Sequence, residues 1–253
     1  MENAHLAHEE VRRIFKKIGI DDYFDRLSLS RIDYAFDIFL EDQSMVETYI
    51  QLMKRGNMPN GLLLKLFWHD TQHRSIPYRD SLYLKNNAVT INSYNKYEEL
   101  KNKAKHFVDC ERAIGILRLE VQCNGRKVEE LEKKYGIDRY NPTDFFDEEI
   151  AREIVMSYVA KVTKLGAYHS LDNARCIINE SRFNDRQKTE LINFIEEVNS
   201  SRSLDKVKRS ESYTPYQFRT RLKRLDELNI NPVTIPFRWG YDYLSNLLTY
   251  IEQ

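Results

Sequence analysis

A tyrosine and a lysine at alternate positions of residues 88–97, AVTINSYNKY, are the first candidates for chemistry. Because side chains two apart in a β-strand share a face, Tyr94 and Lys96 are predicted to stand side by side, away from Val89 and Ile91. A nearby ammonium lowers the pKa of a tyrosine, and a phenolate can attack phosphorus to form a covalent link to DNA. The alternative is structural, because tyrosine is a good strand former and lysine is common on exposed faces.

Two other segments place an arginine and an acid on the polar side of an alternating pattern. In RIDYAFDI these residues are Arg31 and Asp33, and in LRLEVQC they are Arg118 and Glu120. Carboxylates from two strands can hold a hard divalent cation through oxygen ligands, and such a cation stabilises the charge that grows on a phosphate. As ordinary ion pairs across strands, the same residues would stabilise the fold by only about 0.2–1 kcal/mol.

The segment FWHDTQHR adds two histidines, His69 and His73, to the candidates. Imidazole is a common metal ligand and proton carrier. A histidine is also often an ordinary surface residue, so both interpretations stay open for this pair.

The distribution of charge favours local sites over a global field. The chain carries 39 Lys plus Arg against 39 Asp plus Glu, so any nucleic-acid site must come from clustering. Residues 202–224 hold eight basic residues against two acids, and the helix predicted there directs several cations to solvent. Such a stripe is the electrostatic footprint of nucleic-acid binding, and the alternative is a solvated helix face. The candidate contacts are Arg219, Arg221, Lys223 and Arg224.

Cysteine usage and hydropathy indicate the cellular setting. The three cysteines, Cys110, Cys123 and Cys176, lie far apart without the spacing of a zinc site, and a sparse, odd set suits a reducing cytosol. No apolar run reaches the length of a membrane span, and the N-terminal MENAHLAHEEVRRIFKK is amphipathic, unlike a signal peptide. We therefore expect a cytoplasmic protein without a membrane partner.

The periodicity of residues 1–167 predicts an α+β fold, an antiparallel sheet with helices on one face. Period-two alternation indicates the strands, and a β-hairpin turning at Asn86-Asn87 joins two of them. The predicted strands cover 29–40, 62–70, 80–85, 88–97 and 115–123, and the predicted helices cover 5–18, 44–56, 126–135 and 146–165.

Residues 168–253 lose the strand pattern and are predicted to form a small all-α unit, so a domain boundary is placed after residue 167. Short helices are predicted over 170–180, 184–198 and 214–230. Thr214 is the expected N-cap of the last one, with Pro215 at its first position. Three short helices ending in a basic one suggest a helix-turn-helix-like unit.

Four of these segments together resemble a known family. LSRIDYAFDI, LFWHDTQHR, VTINSYNKYEELK and ILRLEVQ occur in the order and approximate spacing of rolling-circle replication initiators. The chain resembles the filamentous-phage gene II protein family and, more loosely, plasmid initiators of the Rep_trans type. YTPYQFRTRLKRLDELNINPVTIP is similar to the C-terminal module of the same phage family, so the resemblance covers about 29–123 and 213–236.

The resemblance implies an activity and an active site. The family nicks one strand of origin DNA with a tyrosine, uses Mg²⁺ or Mn²⁺, and leaves a 5′-phosphotyrosine and a free 3′-OH. Carried over by motif, the nucleophile is Tyr94 with Lys96 beside it. Asp33 and Glu120 are the implied metal ligands, with His69 as a third. The implied fold is a nickase-like α+β domain over 1–167 and a helical DNA-binding module over 168–253.

The resemblance also implies partners. These are single-stranded and duplex origin DNA of a plasmid, phage or mobile element, and a host helicase or polymerase. Arg31 and Arg118 on the sheet, together with the basic helix, are the expected DNA contacts.

Several alternatives stay open. Tyr158, in YVAK, matches the Tyr-x-x-Lys pattern of other nickases, although its helical spacing with apolar neighbours favours a core position. Members of the phage family carry a substantial region before the Arg-x-Asp strand, where this chain has about 28 residues, and the pair of histidines typical of many related nickases is missing. A noncatalytic DNA-binding regulator is therefore the second candidate function, and a protein-interaction module is the third.

Overall fold

The computed structural model describes residues 2–20, 26–69, 74–103 and 110–252. The helices are α1 (Glu2–Lys17), α2 (Gln43–Arg55), α3 (Lys96–Lys103), α4 (Gly125–Tyr135), α5 (Glu148–Thr163), α6 (Leu171–Glu180), α7 (Asp185–Ser201), α8 (Leu204–Arg209), α9 (Pro215–Glu227) and α10 (Leu247–Glu252). The strands are β1 (Arg31–Phe39), β2 (Leu63–Leu64), β3 (Leu66–His69), β4 (Arg74–Pro77), β5 (Ser81–Lys85), β6 (Val89–Asn95), β7 (Ile116–Asn124), β8 (Tyr168–His169) and β9 (Tyr243–Leu244).

The main sheet has five antiparallel strands in the order β1-β7-β6-β5-β2. The predicted α+β class with an antiparallel sheet is therefore confirmed. The single strand expected over 62–70 is wrong, because the chain divides it into β2, which pairs with β5, and β3, which pairs with β4. The all-α composition predicted for residues 168–253 is wrong, because β8 and β9 lie there and pair with each other.

The sheet has one apolar and one polar face because its strands alternate. On β7, Leu117, Leu119, Val121 and Cys123 are fully buried, and they belong to the same core as residues of α2 and α5. Burying a leucine of this kind stabilises the fold by roughly 1.5–3 kcal/mol. The core thus fixes which face of β7 is turned towards solvent, and with it the positions of the polar residues between.

The hairpin between β5 and β6 turns one residue later than predicted. The backbone N–H of Asn86 donates to the carbonyl of Val89, so residues 87 and 88 form the tip. The side-chain oxygen of Asn86 accepts from the backbone N–H groups of Ala88 and Val89 at 2.9 and 2.7 Å. Asparagine side chains often close turns in this way, which fixes the register of β5 against β6.

The C-terminal helices form as predicted, with two additions. α6, α7 and α9 lie where their spacing indicated, and Thr214 caps α9 by accepting from the N–H of Gln217, whose side chain accepts from Thr214 in return. α8 and α10 are short helices that periodicity did not predict. Within the described residues, no helix is both long and apolar enough to cross a membrane.

Residues on either side of position 167 share one hydrophobic core, from Ile32 to Ile251. The Tyr49 hydroxyl of α2 donates to the Ser245 carbonyl at 2.9 Å, and its ring meets that of Tyr168 edge-on. Gly166, at φ +80°, lets the backbone pass so close to Ile230 that a Cβ would lie 2.6 Å from its carbonyl carbon. The division into two domains after residue 167 stays a prediction. The contacts of Tyr49 and Gly166 show that elements on either side of this boundary pack against each other.

Candidate active site

The register of the central strands brings the predicted polar residues into rows. β7 lies between β1 and β6, so Arg118 stands opposite both Asp37 and Tyr94. Glu120 is one row further along, opposite Asn92 of β6. Tyr94, Glu120 and Asn92 from these rows lie on the floor of a cleft of about 650 Å³, and Arg118 lies beside it. We call it the Tyr94 cleft. Its lining includes Arg31, Asp33, Tyr83, Asn92, Tyr94, Glu98, Glu99, Glu120 and Gln122.

Tyr94 and Glu120 meet in this cleft. The Tyr94 hydroxyl donates to Oε2 of Glu120 at 3.2 Å. The pKa of Tyr94 is raised to about 12, mainly by burial and then by the carboxylates of Glu120 and Glu99, while the Arg118 guanidinium opposes them. The lowered pKa expected from Lys96 is therefore wrong, because the cation that lowers it is Arg118, and burial and two acids outweigh that cation. The phenol is neutral near pH 7 and is placed to give its proton to a carboxylate.

Lys96 does not continue the strand beside Tyr94. β6 ends at Asn95, whose buried side-chain oxygen accepts from the N–H of Glu98 at 3.2 Å, and α3 begins at Lys96. The ammonium donates to Oε2 of Glu99 at 2.5 Å and lies 5.8 Å from the centroid of the Tyr94 ring. The shared strand face predicted for Tyr94 and Lys96 is wrong, although the two side chains remain neighbours across the start of α3.

The arginines of the sheet are ion-paired, but not all with the predicted acids. Arg118 donates two hydrogen bonds of 2.6 Å to Asp37 on β1, because that residue is directly opposite it in the register. The predicted pair between Arg118 and Glu120 is therefore wrong. Arg31 pairs with Asp33 as predicted, with Nε 2.7 Å from Oδ1, but along one strand rather than across two.

Oxygen donors suited to a hard cation line the floor of the Tyr94 cleft. Glu120 and Asp33 provide carboxylates, and Oε1 of Glu120 accepts from the Gln122 amide at 2.6 Å. Oδ1 of Asn92, on the same floor, is buried and has no hydrogen-bond partner. Two carboxylates with an amide oxygen fit Mg²⁺ or Mn²⁺, which take oxygen ligands and keep several waters.

The side chains of the two candidate histidines lie outside the described part of the structure. The backbone of His69 ends β3, whereas all of His73 lies outside the described part. Within that part, no group of three or more His, Cys, Asp or Glu side chains is arranged to hold a metal. The oxygen donors described on the floor of the cleft are thus two carboxylates and an amide, and a metal-ligating role of His69 stays a prediction.

The basic helix α9 presents only half of its predicted cations to solvent. Arg219 and Lys223 are exposed. Arg221 is 11% exposed, lies over the Tyr213 ring at 4.7 Å, and has NH2 3.9 Å from Oε2 of Glu190 on α7. Arg224 reaches the same oxygen at 3.4 Å. The expectation that Arg221 and Arg224 face solvent is wrong, because α7 places an acid against this side of α9.

Tyr158, the competing nucleophile, lies on α5 and packs partly buried against the core. The ammonium groups of Lys161 and Lys127 lie 4.2 and 5.8 Å from its ring centroid. Burial raises the pKa of Tyr158. It lines a separate cleft of about 410 Å³ whose only acid among the described residues is Glu130, itself paired with Lys127. Packing is the role that these contacts support.

Sequence reasoning missed the residues that complete the Tyr94 cleft. Asn92 follows the same alternation as Tyr94 and could have been found from it. Gln122 likewise follows Glu120 on β7. Tyr83 of β5 and Glu99 of α3 reach the cleft only through strand order and the turn into α3, which the local pattern does not encode.

The fold and the site define an α+β protein with a polar cleft on an antiparallel sheet. Comparison of the chain with protein-family models, with curated proteins and with solved structures finds no match. The interpretation of the cleft therefore rests on its geometry and on the motifs in the sequence.

Proposed function

We propose that this protein nicks one strand of DNA through a tyrosine–DNA intermediate, in a metal-dependent reaction that starts rolling-circle replication of a plasmid, phage or mobile element. The observation that carries the proposal is the hydrogen bond between Tyr94 and Glu120 in an open cleft. A neutral tyrosine needs a base before it can attack phosphorus, and Glu120 is that base by contact. The motifs that resemble rolling-circle initiators place their tyrosine and acids at these same positions.

The proposed reaction uses the Tyr94 hydroxyl, the Glu120 carboxylate and one water molecule. Oη of Tyr94 attacks the phosphorus of the scissile phosphodiester, and its proton passes to Oε2 of Glu120. The bond from phosphorus to the 3′ oxygen breaks, and that oxygen takes a proton from water to become a free 3′-OH. The hydroxide left behind takes up the proton from Glu120, which restores the carboxylate and the water. The 5′ side stays on Tyr94 as a phosphotyrosine, from which a later 3′-OH can rejoin the strand by the reverse transfer.

The surrounding residues set the charge for this step. Arg118 favours the phenolate, since its guanidinium lowers the pKa of Tyr94 against the effect of the acids. Asp37 holds Arg118 in place with two hydrogen bonds. Asp33, Glu120 and Oδ1 of Asn92 are the residues that would hold Mg²⁺ or Mn²⁺. The cation, when bound, would stabilise the negative charge that grows on the phosphate.

The helical segment after residue 167 would bind duplex origin DNA. α6, α7 and α9 would act as a helix-turn-helix-like unit, with Arg219 and Lys223 of α9 as its phosphate contacts. Both side chains are exposed and, among the described residues, neither forms an ion pair. Free cations on one face of a helix neutralise phosphates and position a protein on duplex DNA.

A noncatalytic DNA-binding regulator is the second candidate. The observation that favours it is the raised pKa of Tyr94, about 12, which keeps the phenol protonated and available for a structural hydrogen bond. In that case the Tyr94–Glu120 contact would stabilise the floor of the cleft, and the exposed cations of α9 would carry the function.

Covalent attachment to DNA distinguishes the two candidates. The protein is incubated with Mn²⁺ and a pool of 3′-labelled, random-sequence single-stranded oligonucleotides, and labelled protein is detected after denaturation. Wild type is expected to form an adduct, and Tyr94→Phe to form none while binding the pool as well as wild type. Tyr83→Phe, which removes another hydroxyl from the same cleft, is the matched control and should retain the adduct.

An adduct in Tyr94→Phe would show that Tyr94 is not the nucleophile, and Tyr158→Phe would then be compared. Wild-type binding of the pool without any adduct, in the presence of Mn²⁺, would favour the regulator.

A further inference from the structure

A second surface, away from the polar face of the sheet, combines arginines with aromatic side chains. Arg55 is the last residue of α2, and its guanidinium carbon lies 4.7 Å from the centroid of the Trp239 ring. Trp239 ends a short 3₁₀ turn, Phe237–Trp239, that also contains Arg238. Arg202 follows α7 as its C-cap. We call Arg55, Arg202, Phe237, Arg238 and Trp239 the arginine–aromatic patch.

Long-range contacts bring the parts of this patch together. Asn199, three residues before Arg202, accepts from the Thr234 hydroxyl at 3.2 Å, and Thr234 leads into Phe237. The charges of Arg202 and Arg238 act on Arg55 and, after burial, lower its pKa. Arg202 and Arg238 therefore each lie near enough to Arg55 to repel its guanidinium.

The patch contains cations without acids to compensate them. In the described part of the chain, no carboxylate lies within ion-pair distance of Arg55, Arg202 or Arg238. A helix C-terminus favours a cation, which accounts for Arg55 at the end of α2 and Arg202 at the end of α7. It supports Arg238 less, because that residue lies in a 3₁₀ helix of only three residues, Phe237–Trp239, whose dipole is small.

Phe237 is the most exposed large apolar side chain among the described residues, at 93%. Placing a phenyl ring in water is unfavourable, and at this exposure the described residues cover little of it. A ring beside guanidinium groups suits a partner that has both flat apolar faces and negative charge. Unpaired bases with their phosphates have this combination, since bases stack on aromatic rings and arginine binds phosphate and also stacks.

We propose that the arginine–aromatic patch binds single-stranded nucleic acid, with Phe237 stacking on a base and the arginines contacting phosphates on either side. A single exposed ring favours this ligand over a membrane surface, because proteins that bind membranes present a broader apolar face to them. The inference does not rest on the nicking proposal, because no residue of the Tyr94 cleft takes part in it.

The test measures binding without cleavage. Fluorescence anisotropy of a labelled dT oligonucleotide is recorded in Tyr94→Phe protein without divalent cations, over a series of salt concentrations. Adding Phe237→Ala is expected to weaken binding about tenfold, as the loss of one stacked base does. Adding Arg238→Ala is expected to reduce the slope of log affinity against log salt by about 0.7, the value for one phosphate contact on a single strand.

Matched controls come from exposed residues of the same types in other elements. Phe39→Ala on β1, 74% exposed, and Arg182→Ala after α6, 84% exposed, should change neither affinity nor slope. Thermal melting should be the same for all four variants, because Phe237 and Arg238 make few packing contacts.

Unchanged affinity and slope in Phe237→Ala and Arg238→Ala would overturn the proposal. Equal losses in the Phe39 and Arg182 controls would also overturn it, as would loss of binding to phosphatidylserine vesicles without any change in oligonucleotide binding. The last result would assign the patch to a membrane surface instead.

Discussion

The Tyr94 cleft and the arginine–aromatic patch differ in how their charges are balanced. Arg31 is bonded to Asp33 in the cleft, and at its border Lys96 is bonded to Glu99 and Arg118 to Asp37. In the patch, Arg55 is stacked on Trp239 and, within the described residues, the arginines have no acidic partner. Paired charges fix side chains in position but leave a weak external field. Unpaired arginines keep their field, which a polyanion can neutralise.

The paired charges of the cleft suit a site that positions a reacting group, and the unpaired charges of the patch suit a surface that attracts a polyanion. A reacting tyrosine requires neighbours at defined distances, and the hydrogen bonds from Arg118 to Asp37 and from Gln122 to Glu120 hold those neighbours. A surface that holds a flexible strand requires charge and flat rings, and few fixed distances. Substitutions should therefore affect stability and chemistry in the cleft, and affinity in the patch.

The largest expected effect concerns the two acids of the cleft. Asp33→Asn and Glu120→Gln should each reduce Mn²⁺-dependent cleavage of single-stranded DNA by orders of magnitude, because each removes a ligand charge and the second also removes the base. Cleavage rates and calorimetry of Mn²⁺ binding measure this. Unchanged Mn²⁺ affinity in both variants would make these acids structural partners of Arg31 and Tyr94.

Removal of a paired cation is expected to have the next largest effect, on the free energy of unfolding. Arg118→Ala should lower the free energy of unfolding by about 1–3 kcal/mol, because it leaves a half-buried Asp37 carboxylate without its donor. Arg238→Ala should change it by less than about 0.5 kcal/mol, as expected for an exposed residue without an ion pair. Urea unfolding of both variants tests the contrast, and equal values would remove the distinction between cleft and patch.

The pKa of Tyr94 should respond to its charged neighbours with opposite signs. Glu120→Gln should move it from about 12 towards the ordinary value of about 10, and Arg118→Gln should move it upwards. Because folding raises this pKa, the fold favours the neutral phenol. That stability is complete below about pH 10 and is lost as the pH rises towards 12. NMR of ¹³C-labelled tyrosine, assigned with Tyr94→Phe, measures the shifts.

The smallest expected effect lies on α9, which contains both kinds of cation. Arg219→Ala with Lys223→Ala should reduce the salt slope of duplex binding by about 1.8, two phosphate contacts. Arg221→Ala with Arg224→Ala should leave the slope nearly unchanged, since both side chains are directed at Glu190, and should instead lower the melting temperature. Anisotropy with a random duplex compares the two pairs, and a larger slope change in the second pair would contradict the assignment.

The sequence by itself determined which residues share a face within β1, β6 and β7, and where α9 begins. Alternation along β1, β6 and β7 places Asp33, Tyr94 and Glu120 on polar faces, because each strand's side chains point alternately up and down. Thr214 and Pro215 likewise fixed the start of α9, since capping is a contact between near neighbours in the chain.

Only the tertiary structure decided which partners these residues meet. Arg118 pairs with Asp37 because β7 lies between β1 and β6, and Lys96 leaves the face of Tyr94 because the chain enters α3. Arg55 reaches Trp239, and Arg221 turns to Glu190, through the packing of elements distant in sequence. Periodicity encodes local geometry, whereas strand order and helix packing follow from the burial of apolar faces across the whole core, which no short stretch of sequence contains.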